Sequence, residues 1–220
     1  MITATDKDMQ MAGLPPYPYP YPGSAKPRGP EDLYTSPPPW DIGRPQPALR
    51  ALALAQAGAI RGRVLDVGCG TGEHALMAAG LGLDTTGVDL ASNALRTARD
   101  KARQRGLTVR FLRHDARQLA ALGESFDTVL DCGLFHIFAD DDRAAFVASL
   151  RSVLVPGGRY FMLCFSDRQP GDWGPHRVTR DEINAAFADG WHVDSIEPST
   201  IDVTTEPDGI RAWLAALTRT

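Results

Sequence analysis

The run Val64-Leu65-Asp66-Val67, followed at once by Gly68-Cys69-Gly70-Thr71-Gly72, constrains this chain more than any other stretch. Four residues, apolar but for one and β-branched at both ends, read as a buried strand. A helix opens directly after the glycines, at Glu73-His74-Ala75-Leu76. A strand that ends in a glycine-rich turn and runs into a helix is the first unit of a doubly wound α/β fold, with a ligand at the strand's carboxyl end. Glycine lets the backbone turn sharply there and come close to that ligand. A pyrophosphate loop of the form G-x-G-x-x-G would need its third glycine at position 73, where Glu73 stands. The turn carries no Lys or Arg, and Asp66 and Glu73 flank it. Such an acidic loop is a poor phosphate cradle and a good neighbour for a cationic ligand.

The alternation of strand and helix continues downstream. Leu83 to Leu90 reads as a second strand ending at Asp89, and Ala94, Leu95, Ala98 and Ala102 give the next helix an apolar face. Asp89 lies about 20 residues past the glycine loop, where a carboxylate accepts ribose hydroxyls. Such an Asp also serves as a helix cap, a role that Ser92 fills equally well. Val109 to Leu112 is a third strand, and Phe126 to Asp131 a fourth that continues into Cys132-Gly133-Leu134-Phe135-His136. Residues 142–154 read as a helix, Pro156-Gly157-Gly158 as a turn, and Arg159 to Phe165 as a strand. Thr179-Arg180-Asp181-Glu182 has the form of a capping box. Trp191 to Ile196 and Thr200 to Thr205 read as one strand interrupted at Pro198, and Ile210 to Leu217 suits a helix by propensity.

Residues 1–30 differ from the rest. Tyr17-Pro18-Tyr19-Pro20-Tyr21-Pro22 excludes helix and central strand, and reads either as a flexible tail or as an aromatic arm folding over a site. Pro47 suits the first turn of a helix whose Leu49, Leu52, Ala53 and Gln56 share a face and which Gly58 ends.

Val64 to Gly72 resembles the first motif of class I S-adenosylmethionine-dependent methyltransferases. Pro38-Pro39-Trp40-Asp41-Ile42-Gly43 resembles the Pro-Trp-Asp-x-Gly segment of the thiopurine and thiol methyltransferase superfamily and its bacterial heterocyclic-toxin relatives. Val153-Leu154-Val155-Pro156-Gly157-Gly158 is similar to a further motif of the class. The resemblance spans residues 31–220 and does not cover the Tyr-Pro arm. It implies a three-layer, Rossmann-like sheet of seven strands in the order 3-2-1-4-5-7-6, with strand 7, rather than a helix, over Ile210 to Leu217, running antiparallel. It implies S-adenosyl-L-methionine as cofactor and S-adenosyl-L-homocysteine as product, with residues 31–47 forming a lid. The cofactor's neighbours would be Trp40 in the lid, then Asp66, Gly68, Cys69 and Gly70. Asp89 and Leu90 would meet the ribose, Asp115 and Ala116 the adenine, and Asp131 and Cys132 the methyl end.

The resemblance further implies a small-molecule methyl acceptor: a thiol, a ring nitrogen, or an N-hydroxy or phenolic oxygen. The loop continuation Thr71-Gly72-Glu73-His74 fits the general methyltransferase pattern better than the halide/thiol form. Tyr34, Trp40, Phe135, His136, Phe165 and Trp173 are the candidate acceptor contacts, joined by Tyr17, Tyr19 and Tyr21 if the arm folds in. His136, just past the fourth strand, is the candidate base, since an ordinary imidazole titrates near neutrality. The bland alternative is that it only orients a neighbour or caps the following turn.

Composition narrows the class. A net charge of −4, with scattered Arg and only three lysines, gives no footprint for nucleic acid. No apolar run is long enough to span a membrane. Cys69, Cys132 and Cys164 suit reduced, buried thiols in a cytoplasmic protein, and no Cys/His spacing suggests a metal site. A dinucleotide oxidoreductase is disfavoured by the acidic loop. A cofactor-binding regulator without turnover stays open.

Overall fold

The computed structural model describes residues 29–55, 58–171 and 173–220. Tyr17, Tyr19 and Tyr21, and nearly all of the expected arm, lie outside the described residues. Seven strands form one sheet: β1 (Val64–Val67), β2 (Thr85–Asp89), β3 (Arg110–Arg113), β4 (Phe126–Cys132), β5 (Leu154–Phe165), β6 (Trp191–Ile201) and β7 (Ile210–Arg219). Their order is β3-β2-β1-β4-β5-β7-β6. β1 pairs in parallel with β2 and β4, and β7 runs antiparallel between β5 and β6. The helices are α1 (Pro47–Ala55), α2 (Glu73–Gly80), α3 (Ser92–Arg105), α4 (Asp140–Val153) and α5 (Arg180–Ala186). This is the order and orientation expected from the resemblance.

Alternate residues of the central strands supply two cores, as the pleat requires. Leu65, Val67, Val129, Tyr160 and Met162 face one side with Phe146 and Leu150 of α4. Val64, Leu130, Phe161 and Leu163 face the other with Leu49 of α1. Ala94, Leu95, Ala98 and Ala102 of α3 are buried, as their spacing predicted.

Three local expectations change. Pro198 does not interrupt β6, because β6 is an edge strand whose outward N–H needs no partner. The strand ends at Ile201 rather than Thr205. Pro156-Gly157-Gly158 is not a turn outside the sheet. It lies inside β5, where the register shifts between Phe126 and Thr128 of the neighbouring strand. Ile210–Arg219 is strand, as the resemblance implied and against its helical propensity, since pairing on both sides satisfies its backbone. The capping box forms as read: the Glu182 N–H donates to Thr179 Oγ1 at 3.1 Å, and the Thr179 N–H donates to Glu182 Oε2 at 2.8 Å. Ser92 is the first residue of α3 rather than its cap. The carboxylate of Glu31, from the segment ahead of α1, accepts the N–H groups of Ser92 and Asn93 at 2.8 and 3.1 Å.

Candidate active site

The chain order reverses where β1 lies between β2 and β4, so a crevice opens outside the carboxyl ends of these strands. A cavity of about 190 Å³ lies there. Its floor is Gly68, Cys69 and Gly70 with Asp89, and its far wall is Cys132 to Leu134, His136, Ile137 and Phe165. Tyr34, Trp40, Asp41 and Ile42 close it from the N-terminal segment, and Ile201 and Val203 from the end of β6.

The loop needs its glycines. Gly70 sits at φ +51, and a Cβ there would stand 2.6 Å from Tyr34 Oη. Gly72, at φ +88, would drive a Cβ within 2.9 Å of Ala98 Cβ. Gly70 lets Tyr34 of the segment ahead of α1 lie against the loop, and Gly72 packs α2 against α3.

Asp89 accepts the Gly70 and Ala91 N–H groups, both at 2.8 Å, one on each oxygen. Each oxygen keeps a further lone pair. Burial raises its carboxyl, the N–H groups of Ala91, Gly70 and Leu90 hold it partly down, and the charge of Glu31 adds to the rise.

Asp66 and Asp131 stand behind the wall. Asp66 accepts the Ala75 N–H at 2.9 Å, tying β1 to α2. Asp131 accepts from Tyr160 Oη at 2.6 Å and from the N–H groups of Leu134 and Phe135, shaping the turn that presents His136.

His136 is 6% exposed, and its Nδ1 accepts the Phe165 N–H at 3.0 Å. A backbone N–H can only donate, so the neutral ring carries its proton on Nε2. Burial pushes the imidazole down to about 3, and His176 adds to this. The ring therefore turns an N–H rather than a free lone pair toward the cavity, which bears against the expected role as a base. His74, unnoticed in the sequence as a wall residue, behaves alike. Its Nε2 accepts the Gln46 N–H at 3.1 Å, and burial pushes it down to about 4.

Other expected contacts separate. Tyr34, Trp40, Gly68, Cys69, Gly70, Asp89, Cys132, His136 and Phe165 line the cavity together. Phe135 does not reach it. Its ring is fully buried in the core, stacked on Phe187. Trp173 is not among the lining residues; it lies edge-on to Phe165, which is. Leu90, Asp115 and Ala116 lie off the cavity wall. Asp115 caps the 3-10 turn Ala116–Leu122 and pairs with Arg117 at 2.8 Å.

The segment ahead of α1 is pinned at several points. Thr71 Oγ1 donates to Asp41 Oδ2 at 2.9 Å and takes Lys101 Nζ at 2.7 Å. Lys101 also pairs with Glu73 at 2.9 Å, and Arg44 with Asp202 at 2.8 Å. Gln46 exchanges two hydrogen bonds with the backbone of Asp202. Lys101 is one of three lysines in the chain, the one clue to this clasp in the sequence.

A largely parallel sheet with a glycine loop at the carboxyl end of β1, and the Asp89 carboxylate beside it in the cavity wall, is the arrangement of an α/β enzyme for a nucleoside cofactor. Residues 64–158 match the methyltransferase domain family. The chain is 35% identical over 175 residues to the 2-heptyl-1-hydroxyquinolin-4(1H)-one methyltransferase of Mycobacteroides abscessus, covering 78% of this chain and 76% of that protein. It is 34% identical over 174 residues to the demethylmenaquinone methyltransferase of Thermus thermophilus, covering 76% and 78%. A chain solved in work on the conversion of a disulfide bond into a thioacetal group during echinomycin biosynthesis superposes with a TM-score of 0.75 and 40% identity, over 83% of this chain and 85% of that one. The chain belongs to the S-adenosylmethionine-dependent methyltransferases. Among the described residues no helix is long and apolar enough to cross a membrane.

The residues present fit that cofactor. Asp89 keeps acceptor capacity for a hydroxyl and lies in the cavity wall beside the glycine loop, while Lys101 and Arg105 balance the charges of Asp41 and Glu73 nearby.

Proposed function

We propose that this methyltransferase acts on the N-hydroxy or phenolic oxygen of a small heteroaromatic molecule. The observation that carries this reading is the wall opposite the glycine loop. Leu134, Ile137, Phe165, Pro175, Ile201 and Val203 make it apolar, with His136 as a polar group among them. Such a pocket suits a flat, apolar ring with one polar handle. Similarity to a protein named for methylating a 1-hydroxyquinolin-4-one supports the same choice.

In this reading Asp89 takes the ribose hydroxyls, the Gly68–Gly70 backbone lies along the amino-acid end, and residues 31–47 act as the lid. When bound, the cofactor supplies a methyl group on a sulfonium, a good leaving group. The protein's part is to hold the acceptor oxygen in line with that methyl and keep water out. Positioning of this kind supplies about 7–11 kcal/mol of barrier reduction, so no strong base is required.

A sulfur acceptor is the second reading, favoured by the 40% identical structure from work on a disulfide and a thioacetal. The test is turnover with 1-hydroxyquinolin-4-one, a phenol, thiophenol and an N-heterocycle, with products identified by mass spectrometry. Methylation confined to sulfur or ring nitrogen would overturn the oxygen assignment.

A further inference from the structure

The two ring nitrogens of His136 face different surroundings. Nδ1 takes the Phe165 N–H, a bond from the turn after β4 to the end of the neighbouring β5, which fixes the ring's rotation. Phe165 also holds the ring edge-on, with centroids 4.9 Å apart. Nε2 lies toward Gly133, where an added Cβ would come within 3.7 Å of it, and both residues line the cavity. Nε2–H has no hydrogen-bond partner among the described residues. An N–H in an apolar wall is costly unless something in the cavity accepts from it. His176, paired with Glu182 at 2.6 Å, is the titratable group that bears on the ring electrostatically.

We propose that the Nε2–H of His136 is a fixed donor to an oxygen of the methyl acceptor, so that the site selects acceptors presenting an oxyanion or carbonyl oxygen and takes hydroxylated ones as their anions. This rests on the cavity being the acceptor pocket of the reading above. The acceptor hydroxyl loses its proton to solvent. Its oxygen lone pair forms the new O–C bond as the C–S bond breaks, and that electron pair leaves on sulfur. No proton passes to His136. A hydrogen bond to the oxyanion favours the ionised acceptor and is strengthened by the dry surround. Sulfur accepts hydrogen bonds weakly, so a thiolate gains less.

Two amide variants separate this role from a structural one. The Asn amide reaches roughly as far as Nδ1, and the Gln amide roughly as far as Nε2. His136→Asn therefore keeps an acceptor for Phe165 and removes the donor, while His136→Gln does the reverse. Each is assayed with 1-hydroxyquinolin-4-one and thiophenol, and the absorption spectrum of the hydroxyquinolone is recorded with S-adenosylhomocysteine present. Wild-type protein is expected to bind the hydroxyquinolone as its anion at a pH where the free compound is protonated. His136→Asn should lose that spectral shift and at least about 10-fold in kcat/KM on the oxygen acceptor, with thiophenol changed by less than about 3-fold. His136→Gln should keep the shift. A shift retained in His136→Asn, or equal losses on the two acceptors, overturns the donor role. Wild-type protein that methylates thiophenol and neither binds nor methylates the hydroxyquinolone overturns the oxygen-acceptor reading instead. 4-Nitrophenol then decides the donor separately, and an unchanged ionisation of that phenol on mixing with the protein overturns it.

Discussion

Asp66 and Asp131 stand one position apart in the β1–β4 register, where Val67 is the partner of Asp131, yet burial raises the first carboxyl to about 8 and the second only to about 6. The difference follows the donors. Asp131 accepts three hydrogen bonds and Asp66 one, and each donor favours the ionised form. The mutual repulsion of Asp131 and Asp89 with Asp66 raises Asp66 further.

This sets a pH dependence. A carboxyl whose folded value lies above its ordinary 3.8 binds more protons folded than unfolded between those limits. Stability from Asp66 is therefore complete below about 4 and falls as pH rises toward 8. Asp66→Asn keeps an acceptor for the Ala75 N–H and removes the titration. Urea unfolding is expected to show the variant gaining on the wild type steadily from pH 5 to pH 8. Parallel profiles would contradict this.

Asp89→Asn should weaken S-adenosylmethionine binding by about 1.5–3 kcal/mol, the worth of a hydrogen bond to a charged group. Asn preserves one of the two backbone contacts to Gly70 and Ala91, so folding is less affected than by Ala. Calorimetry with the cofactor checks it, and unchanged affinity would remove Asp89 from the ribose site.

Lys101 bridges Thr71, Glu73 and Asp41. Lys101→Ala leaves Asp41 facing Glu73 with one fewer cation between them. Cleavage by chymotrypsin at Tyr34 and Trp40 should quicken, and cofactor affinity should fall. Unaltered cleavage would show that the clasp does not hold the segment ahead of α1.

Gly70→Ala and Gly72→Ala both place a side chain at positive φ, at about 1–2 kcal/mol each. Their neighbours differ. The Cβ at Gly70 meets the tip of Tyr34, which can swing away, whereas that at Gly72 meets Ala98 in the core of α3. Gly72→Ala should lower Tm more, and Gly70→Ala should instead disturb the packing of Tyr34 on the loop and cofactor binding. The reverse order in a thermal melt would contradict the packing argument.

The sequence by itself determined the sheet around its glycine loop. The strand-turn-helix signals of Val64 to Gly72, the Asp89 spacing and the capping box at Thr179 are local, and short-range sterics and hydrogen bonding fix them. It also placed Gly70, Asp89 and His136 at one cavity, because the carboxyl ends of β1, β2 and β4 converge there, and the resemblance added Trp40. Tertiary structure alone decided what depends on distant partners. Ile210–Arg219 is strand because β5 and β6 pair with it, against its own propensity. Phe135 turned into the core while its neighbour His136 turned toward the cavity, a choice made by Phe187 and by the Phe165 N–H. That last bond, between residues 29 apart in the chain, fixed which imidazole nitrogen holds the proton. No periodicity or spacing carries such information, since it resides in the meeting of two strand ends.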